Sequence, residues 1–199
     1  MGDRSRPDHW AREAKRLGYP ARSVFKLEEL QKKYRVVPPR GAVLDVGAAP
    51  GSWTLFLLRT LGRGCSVTAV DLKPLAISPP PGSGLRFYRG DVFTEEAAAF
   101  LAVGGPYAAV LSDAAPSTSG NRLVDARKSL DLVMRVIDLA EAHLAPGGNL
   151  AAKIFQGGDE NEARDRIKAL FAESRVFKPK AVRSESFETY LVGKGFRGA

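Results

Sequence analysis

The chain has 199 residues, a hydrophobic fraction of 44% and a formal net charge of +8. Its length predicts a single domain, and the absence of an apolar run of about 18 residues argues against a transmembrane helix. The single cysteine, Cys65, excludes an internal disulfide, and with only two distant histidines the chain has no recognisable metal site. Because the N-terminus lacks the apolar stretch of a secretory signal, we expect a cytoplasmic protein. We also expect it to be a monomer.

A helix is predicted within residues 1–40, a basic N-terminal extension that precedes a core of residues 41–199. Pro38 and Pro39 end its pattern. The apolar side chains that recur at helical spacing are Val24, Leu27, Leu30 and Tyr34. Lys26 lies on the same segment but off this apolar stripe.

After Pro39, predicted strands alternate with predicted helices, which is typical of a mainly parallel sheet covered on both faces. The predicted strands are Ala42–Val46, Ser66–Val70, Leu85–Tyr88, Tyr107–Leu111 and Asn149–Phe155. The predicted helices are Ser52–Leu61, Glu95–Val103, Val124–Leu144 and Asn161–Ala172. Two β-rich stretches, Arg175–Val182 and Phe187–Val192, come last. Because only a short turn region joins them, we expect an antiparallel hairpin at the end of the sheet.

A glycine-rich turn joins the first predicted strand of the core to the helix that follows. Gly47 and Gly51 let a ligand approach the backbone closely at the carboxyl end of this strand. Asp71 ends the next strand, 20 residues after Gly51, where a carboxylate can accept two hydrogen bonds from a ribose diol. Asp91 ends the third strand and is placed to face an adenine amino group. This pattern predicts a nucleoside-binding edge of the sheet.

Three interpretations of the glycine turn remain open: a plain tight turn, a dinucleotide site and an S-adenosylmethionine site. A dinucleotide is disfavoured because the spacing is Gly-x-x-x-Gly and because Pro50 removes a backbone N–H that pyrophosphate binding needs. S-adenosylmethionine carries no phosphate, and its amino group can pair with an acid such as Asp45. We therefore favour S-adenosylmethionine as the cofactor.

The range of possible methyl acceptors is narrowed by the residues that other methylation chemistries require. Methylation at carbon 5 of cytosine needs a cysteine nucleophile, but Cys65 begins the second strand, away from the strand ends. Methylation of adenine N6 usually shows an Asn/Asp-Pro-Pro-aromatic run after the fourth strand, where residues 112–116 read Ser-Asp-Ala-Ala-Pro. Transfer to a hydroxyl requires a nucleophile that is aligned and helped to lose its proton.

Several charged residues occupy positions where a buried sheet would be expected to carry apolar ones. Lys153 interrupts the apolar fifth strand, and a buried lysine is costly unless it is paired. Asp113, at the end of the neighbouring fourth strand, is its expected partner. Glu188 in the last hairpin and Lys26 in the N-terminal helix are further candidates. A structural ion pair, or a lysine that reaches solvent, remains an alternative for Lys153.

The positive charge is concentrated at both ends of the chain. Residues 1–40 contain 11 Lys and Arg against 5 Asp and Glu, and residues 175–199 contain 6 against 2. The segment between them contains 13 against 15. Clustered basic residues bind polyanions because they displace the counterions condensed on phosphates. This distribution slightly favours a nucleic-acid partner over a solvated basic surface.

Six motifs, in chain order, resemble those of the RrmJ/FtsJ family of ribose 2′-O-methyltransferases. They are Arg22–Leu27, Asp45–Trp53, Ser112–Pro116, Ala145–Gly148, Lys153–Gly157 and Ser186–Tyr190. Each motif alone is moderately specific, whereas all six in order are highly specific. The resemblance implies an α/β fold of the Rossmann-like class I methyltransferase type: a mainly parallel seven-stranded sheet with a terminal antiparallel strand and helices on both faces.

The resemblance also implies the site residues and the substrate. By motif, the catalytic tetrad is Lys26, Asp113, Lys153 and Glu188. The implied cofactor contacts, which join Asp45 and Gly47 of the glycine turn, are Gly51, Trp53, Asp71, Asp91 and Asp113. No metal is implied. The family substrate is large-subunit ribosomal RNA, with relatives that act on tRNA or mRNA caps.

The implied activity is 2′-O-methylation of a ribose in RNA, with Lys153 at the 2′-hydroxyl as a base or as a positioning group. The same chemistry on tRNA and a catalytically idle RNA-binding module are the alternatives. A small-molecule methyltransferase is disfavoured because the chain has little beyond its core and basic ends from which to build a lid. Two departures from the family pattern leave the tetrad intact: Phe187, where relatives often carry arginine, and residues 116–120, where they often carry Asn-Met.

Overall fold

A computed structural model of the protein describes residues 9–60, 65–157, 160–182 and 186–198. Its strands are β1 (Gly41–Val46), β2 (Cys65–Asp71), β3 (Gly84–Arg89), β4 (Tyr107–Ser112), β5 (Leu144–Phe155), β6 (Phe171–Phe177) and β7 (Glu188–Phe196). Its helices are α1 (His9–Arg16), α2 (Val24–Tyr34), α3 (Ser52–Thr60), α4 (Glu95–Ala102), α5 (Arg122–His143) and α6 (Glu160–Leu170). Two parts of the prediction lie outside the described residues: Leu61, the predicted end of α3, and residues 1–8 of the predicted extension.

The seven strands form one sheet in the order β3-β2-β1-β4-β5-β7-β6. Strands β1 to β5 pair in parallel, whereas β7 is antiparallel to both β5 and β6. The predicted fold class and the antiparallel pairing of the last two strands are confirmed. β7 is inserted between β5 and β6, so the final strand of the chain lies inside the sheet and the strand before it forms the edge.

The predicted bounds of the last hairpin were wrong. β6 covers residues 171–177 rather than 175–182, because the buried Phe171 pairs with Phe196 in the ladder instead of ending the helix. The chain leaves the sheet at Lys178-Pro179, where proline offers no N–H to a ladder. Residues 178–187 therefore connect the two strands, which is longer than the short turn expected.

The bounds of α5 and β5 also differ from the prediction. α5 begins two residues earlier, at Arg122, because the side chain of Asn121 accepts hydrogen bonds from the N–H groups of Leu123 and Val124. β5 begins at Leu144 rather than Asn149, because Leu144 already pairs with Tyr107 across a register shift in the ladder. The remaining predicted strands and helices agree with the structure to within about two residues, the usual uncertainty of such boundaries.

Helices cover both faces of the sheet, as predicted. One face packs against α2 and α3 through a cluster that includes Leu27, Trp53 and Tyr190. The other face packs against α4, α5 and α6 through a larger cluster that includes Leu101 and Ile137. α2 is thus part of the hydrophobic core, although the sequence predicted it within an extension. No helix in the described ranges is long and apolar enough to cross a lipid bilayer.

Candidate active site

Four buried charged side chains meet where β4 and β5 end. Lys153 Nζ lies 3.0 Å from Asp113 Oδ1 and donates a hydrogen bond to the Asp113 carbonyl oxygen at 2.6 Å. Lys26 Nζ lies 2.6 Å from Glu188 Oε1 and 3.6 Å from Asp113 Oδ1. Each of these side chains is at most 14% exposed. The structure therefore brings together all four residues of the predicted tetrad.

The register of the sheet explains this convergence. Lys153 of β5 lies opposite Tyr190 of β7, and Glu188 lies opposite Phe155, two residues further along the same face. Asp113 directly follows Ser112, the last residue of β4, which pairs with Ala152. The carboxyl ends of parallel strands meet at one edge of the sheet, and the antiparallel β7 begins at that edge. Three of the four charges are therefore delivered by neighbouring strands.

α2 supplies the fourth charge, Lys26, and two buried contacts anchor the start of this helix to α3. The Trp53 indole Nε1 donates to the Ser23 carbonyl oxygen at 2.7 Å, and the Ser52 hydroxyl bonds to both the N–H and the carbonyl oxygen of Ala21. The Trp53 ring also stacks on Tyr190, with ring centroids 5.9 Å apart. Trp53 is thus a buried link between the helix that carries Lys26 and the strand that carries Glu188.

Tyr190 is a site residue that the sequence analysis quoted in a motif but gave no role. Its hydroxyl donates to Asp113 Oδ1 at 2.5 Å, and burial raises the pKa of Tyr190 well above its usual value, so the hydroxyl keeps its proton. Burial alone would raise the pKa of Asp113 as well. The charges of Lys153 and Lys26, together with the Tyr190 hydrogen bond, outweigh burial and lower that pKa. Asp113 is therefore ionised at neutral pH.

The predicted cofactor residues line the same edge of the sheet, on β1 and β2. The Asp71 carboxylate accepts hydrogen bonds from the N–H of Ala49 in the glycine turn, at 2.9 Å, and from the N–H of Lys73, at 2.8 Å. Asp91 lies two residues beyond β3, and its carboxylate accepts from the N–H of Phe93 at 3.1 Å. Both acids are held by backbone donors at the ends of their strands.

Asp45, near the end of β1, is the most buried of these acids. Thr54 Oγ1 donates to Asp45 Oδ2 at 2.6 Å, whereas Asp45 Oδ1 is buried with no hydrogen-bond partner among the described residues. Burial raises the pKa of Asp45 to about 7, and the hydrogen bond from Thr54 opposes that rise. An orphaned buried carboxylate oxygen lacks a donor, and an ammonium group is the donor that best compensates it. Asp45 therefore fits a cofactor that carries an amino group.

The two glycines of the turn have packing reasons for being glycine. Both have positive φ angles, of 77° at Gly47 and 113° at Gly51. A Cβ on Gly47 would come within 2.5 Å of the Ala114 backbone, and one on Gly51 within 2.6 Å of the Ile77 side chain. The turn is therefore closely packed between the segment after Asp113 and the loop after β2. The sequence analysis gave no role to Ala114 or Ile77, because neither carries a chemical signature.

The described residues contain no group of three or more His, Cys, Asp or Glu side chains that could hold a metal ion. The sheet order, the acids at successive strand ends and the tight glycine turn define a Rossmann-like enzyme that binds a nucleoside-type cofactor. A family model described as FtsJ-like methyltransferase matches residues 19–196. The chain belongs to this family; it is a methyltransferase, and S-adenosylmethionine is its cofactor.

Similar proteins with informative names cover nearly the whole chain. Ribosomal RNA large subunit methyltransferase E of Treponema denticola is 47% identical over 194 residues, which cover 98% of this chain and 97% of the relative. The protein of the same name from Desulfosudis oleivorans is 45% identical over 96% of this chain and 91% of its own length.

Solved structures agree with the fold. The crystal structure of a ribosomal RNA methyltransferase from Plasmodium falciparum superimposes with a TM-score of 0.77 at 27% identity, covering 91% of this chain and all of that one. Human methyltransferase-like protein 13, solved in complex with SAH, has a TM-score of 0.56 at 17% identity, covering 86% of this chain and 77% of that one. The second likeness concerns the fold alone.

Proposed function

We propose that the protein transfers a methyl group from S-adenosylmethionine to a ribose 2′-hydroxyl of large-subunit ribosomal RNA. The observation that carries this proposal is the buried pair of Lys153 and Asp113, joined by Lys26 and Glu188, at the carboxyl edge of the sheet. A closed network of buried charges is difficult to explain by stability, since apolar residues of similar size usually serve stability as well or better. The names of the relatives supply the RNA class.

The cofactor residues are proposed from their places along the same edge. Asp45 would pair with the amino group, Asp71 with the ribose diol and Asp91 with the adenine amino group, while Gly47 and Gly51 shape the turn beneath. Trp53 and Asp113 are also proposed as cofactor contacts because they lie next to these residues. The indole N–H of Trp53 already donates to Ser23, so its contact would be made by the ring. When bound, S-adenosylmethionine supplies a methyl group activated by its sulfonium.

Lys153 is the group proposed to act on the 2′-hydroxyl. An ammonium has three N–H donors, and two of them are directed at the Asp113 carboxylate and carbonyl oxygen. The remaining position on Nζ can meet the 2′-oxygen, either to orient its lone pair or, in the neutral amine, to take its proton. Lys26, held by Glu188, balances the charge of Asp113 from the other side. Two positive and two negative charges leave the tetrad neutral before RNA arrives.

An RNA-binding surface is proposed where the two basic ends of the chain meet. Glu29 of α2 accepts hydrogen bonds from the N–H groups of Lys180 and Ala181, both at 2.9 Å. Lys33 Nζ lies 4.8 Å from the centroid of the Phe177 ring at the end of β6. Exposed lysines of the two ends are thereby brought onto one surface: Lys32, Lys33, Lys178 and Lys180. Clustered cations of this kind bind the phosphate backbone.

The alternatives receive less support. The relatives' names favour ribosomal RNA over tRNA as the substrate. An idle RNA-binding module would have no need of a complete tetrad, and all four charged side chains are in contact. We further propose that residues 1–199 act as one domain and as a monomer in the cytoplasm. The single domain is supported by α2, which lies within residues 1–40 and shares a hydrophobic core cluster with strands of residues 41–199.

The test is methylation by the full chain with labelled S-adenosylmethionine on three substrates: large ribosomal subunits, free ribosomal RNA and bulk tRNA, all from a strain without endogenous activity. Nucleoside analysis of the product should give 2′-O-methylribose, and the subunit or its RNA should be the substrate. Label on tRNA alone would mean that the substrate is tRNA and not ribosomal RNA. Label on a base atom would overturn the ribose chemistry. Lys153→Met, with unchanged cofactor binding by calorimetry, is the control for contaminating activity.

A further inference from the structure

Two aromatic rings in edge-to-face contact, Phe155 and Phe187, extend outward from the tetrad, and the guanidinium of Arg122 lies over the outer ring. This group is called the stack below. Phe155 lies two residues beyond Lys153 on the same face of β5, and Phe187 directly precedes Glu188. The centroids of the two rings are 4.8 Å apart with planes inclined at 60°. The guanidinium carbon of Arg122, the first residue of α5, lies 5.0 Å from the centroid of the Phe187 ring. None of these three residues belongs to the tetrad.

The backbone around the stack is fixed by hydrogen bonds from three elements. The N–H of Phe155 donates to Ser129 Oγ of α5 at 3.0 Å, and the N–H of Gln156 donates to the Phe187 carbonyl oxygen at 2.9 Å. The Asn121 cap fixes the turn of helix that carries Arg122. The rings are therefore positioned before any substrate arrives, which reduces the entropic cost of binding to them.

Exposure increases along the stack from the site to the solvent. Phe155 is buried at 9% exposure, Phe187 is half-buried and Arg122 is exposed. No carboxylate within the described ranges forms a salt bridge with Arg122, so its positive charge stays available to a ligand. Next to Arg122, Leu123 is 70% exposed. The outer end of the stack is thus an exposed surface that is both cationic and partly apolar.

We propose that the Arg122–Phe187 stack is a subsite for an unpaired nucleobase of the RNA substrate, which rests on the function proposed above. Bases exposed in single-stranded RNA stack on aromatic rings and on guanidinium planes. Arg122 offers both the plane and a positive charge for the adjoining phosphate. Because Phe187 and Glu188 are consecutive, a base held on this stack brings its own or a neighbouring ribose to Lys153.

A second stack in the same molecule offers a matched control. The Arg86 guanidinium carbon lies 4.6 Å from the centroid of the Phe100 ring, which packs against Tyr88 with centroids 5.4 Å apart. This stack joins β3, the other edge of the sheet, to α4. It has the same cation and ring chemistry, but none of its three residues adjoins the tetrad in sequence or in the ladder. Phe100→Leu therefore removes a comparable ring without touching the proposed subsite.

The experiment compares the affinity of the full chain for two probes of equal length and charge: a 12-mer of oligouridylate and the same oligomer with abasic riboses. The wild-type protein should prefer the base-bearing probe by roughly tenfold or more, the contribution of one or more stacked bases. Phe187→Leu should abolish this preference, Phe187→Trp should keep it, and Phe100→Leu should leave it unchanged. Arg122→Gln removes both a stacking plane and a charge, so it should reduce the preference for the base-bearing probe and lower the salt slope by about one unit.

Several outcomes would overturn the subsite. The wild-type protein could bind both probes equally, or Phe187→Leu could keep the full preference. A lower melting temperature with an intact preference would make the stack a structural link between α5 and β7. If Phe187→Leu fails to fold, Arg122→Gln decides, because Arg122 is an exposed side chain: an unchanged preference for the base-bearing probe in that variant would overturn the subsite. Methylation of ribosomal subunits by wild type is measured in parallel, so failure of the proposed function is seen separately.

Discussion

The two halves of the active edge are stabilised in different ways. In the proposed cofactor half, formed by β1, β2 and β3, the carboxylates of Asp71 and Asp91 accept hydrogen bonds from neutral backbone N–H groups of the adjoining turns. In the proposed catalytic half, formed by β4, β5, β7 and α2, each charge has an opposite charge as its partner, and the partners are far apart in sequence. A single substitution should therefore have a local effect in the first half and disturb the whole network in the second.

The largest effect is expected for Lys153→Met, which keeps the length of the side chain and removes its charge. Methyl transfer should fall roughly a hundredfold or more, the scale of a lost general base, while cofactor affinity stays the same. Single-turnover methylation on saturating RNA measures the rate. The variant leaves Asp113 with Lys26 and Tyr190 as partners, and thermal unfolding checks that the fold survives.

A near wild-type rate in Lys153→Met would make this lysine structural and would remove the proposed mechanism. Lys153→Arg separates the two remaining roles, because arginine keeps the charge but does not give up its proton. Substantial activity in the arginine variant means that Lys153 positions the 2′-hydroxyl, whereas loss of activity in both variants supports proton transfer.

In the proposed cofactor half, Asp71→Ala should weaken S-adenosylmethionine binding about tenfold or more, since a hydrogen bond to a charged group contributes about 1.5–3 kcal/mol. Calorimetry measures the affinity, and the rate at saturating cofactor should be little changed. Glu173→Ala, an exposed carboxylate on β6, is the control for charge alone. Equal affinities of wild type and Asp71→Ala would take Asp71 out of the site.

A smaller loss of rate, below tenfold, is expected for Tyr190→Phe. The variant keeps the ring against Trp53 but removes the hydroxyl that helps to lower the pKa of Asp113. Lys153 and Lys26 still hold the Asp113 carboxylate, so most of its orientation remains. The acid limb of the pH–rate profile should move to higher pH, because Asp113 becomes easier to protonate. An unshifted acid limb would contradict this coupling between Tyr190 and Asp113.

A small effect on the stability of the cofactor-free protein is expected for Asp45→Asn, which should also weaken S-adenosylmethionine binding because Asp45 is the proposed partner of the amino group. The pKa of Asp45 is about 7 in the folded protein, above the usual value of 3.8, so folding takes up a proton between these two pH values. Stability conferred by this group is therefore complete at low pH and is lost as the pH rises through about 7. Asparagine removes the buried charge, so it should raise the melting temperature by a few degrees at pH 8 and less at pH 5. Equal shifts at both pH values would argue against the raised pKa.

Apolar runs in the sequence were sufficient to predict the strands of the core, because a buried parallel strand has few polar residues. They were not sufficient for β6, whose exposed positions carry Glu173 and Arg175 and whose start at Phe171 continues the pattern of α6. Edge strands are only partly buried, so their composition resembles that of a loop or an exposed helix.

The tetrad could be predicted as a set from its motifs, and the pairing of Lys153 with Asp113 also from strand order. The link from Ser23 through Trp53 to Tyr190 could not, because it depends on how α2 and α3 lie across the sheet. The contact of Arg122 with Phe187 was hidden for the same reason: the two are 65 positions apart, and although Phe187 departs from the family pattern, nothing in the sequence pairs it with Arg122. Local pattern identifies elements, whereas these contacts arise only from packing.

The position of β7 inside the sheet has a consequence for the protein during its synthesis. Ribosomes deliver the chain from the N-terminus, and Asp45, Asp71 and Asp91 have all emerged soon after β3. Glu188 and Tyr190 emerge nearly last, and only then do Lys26 and Asp113 acquire their partners in β7. A nascent or truncated chain that ends before β7 therefore has an incomplete tetrad. On the function proposed above, methyl transfer requires the last strand to be in place, so an unfinished copy would not modify RNA.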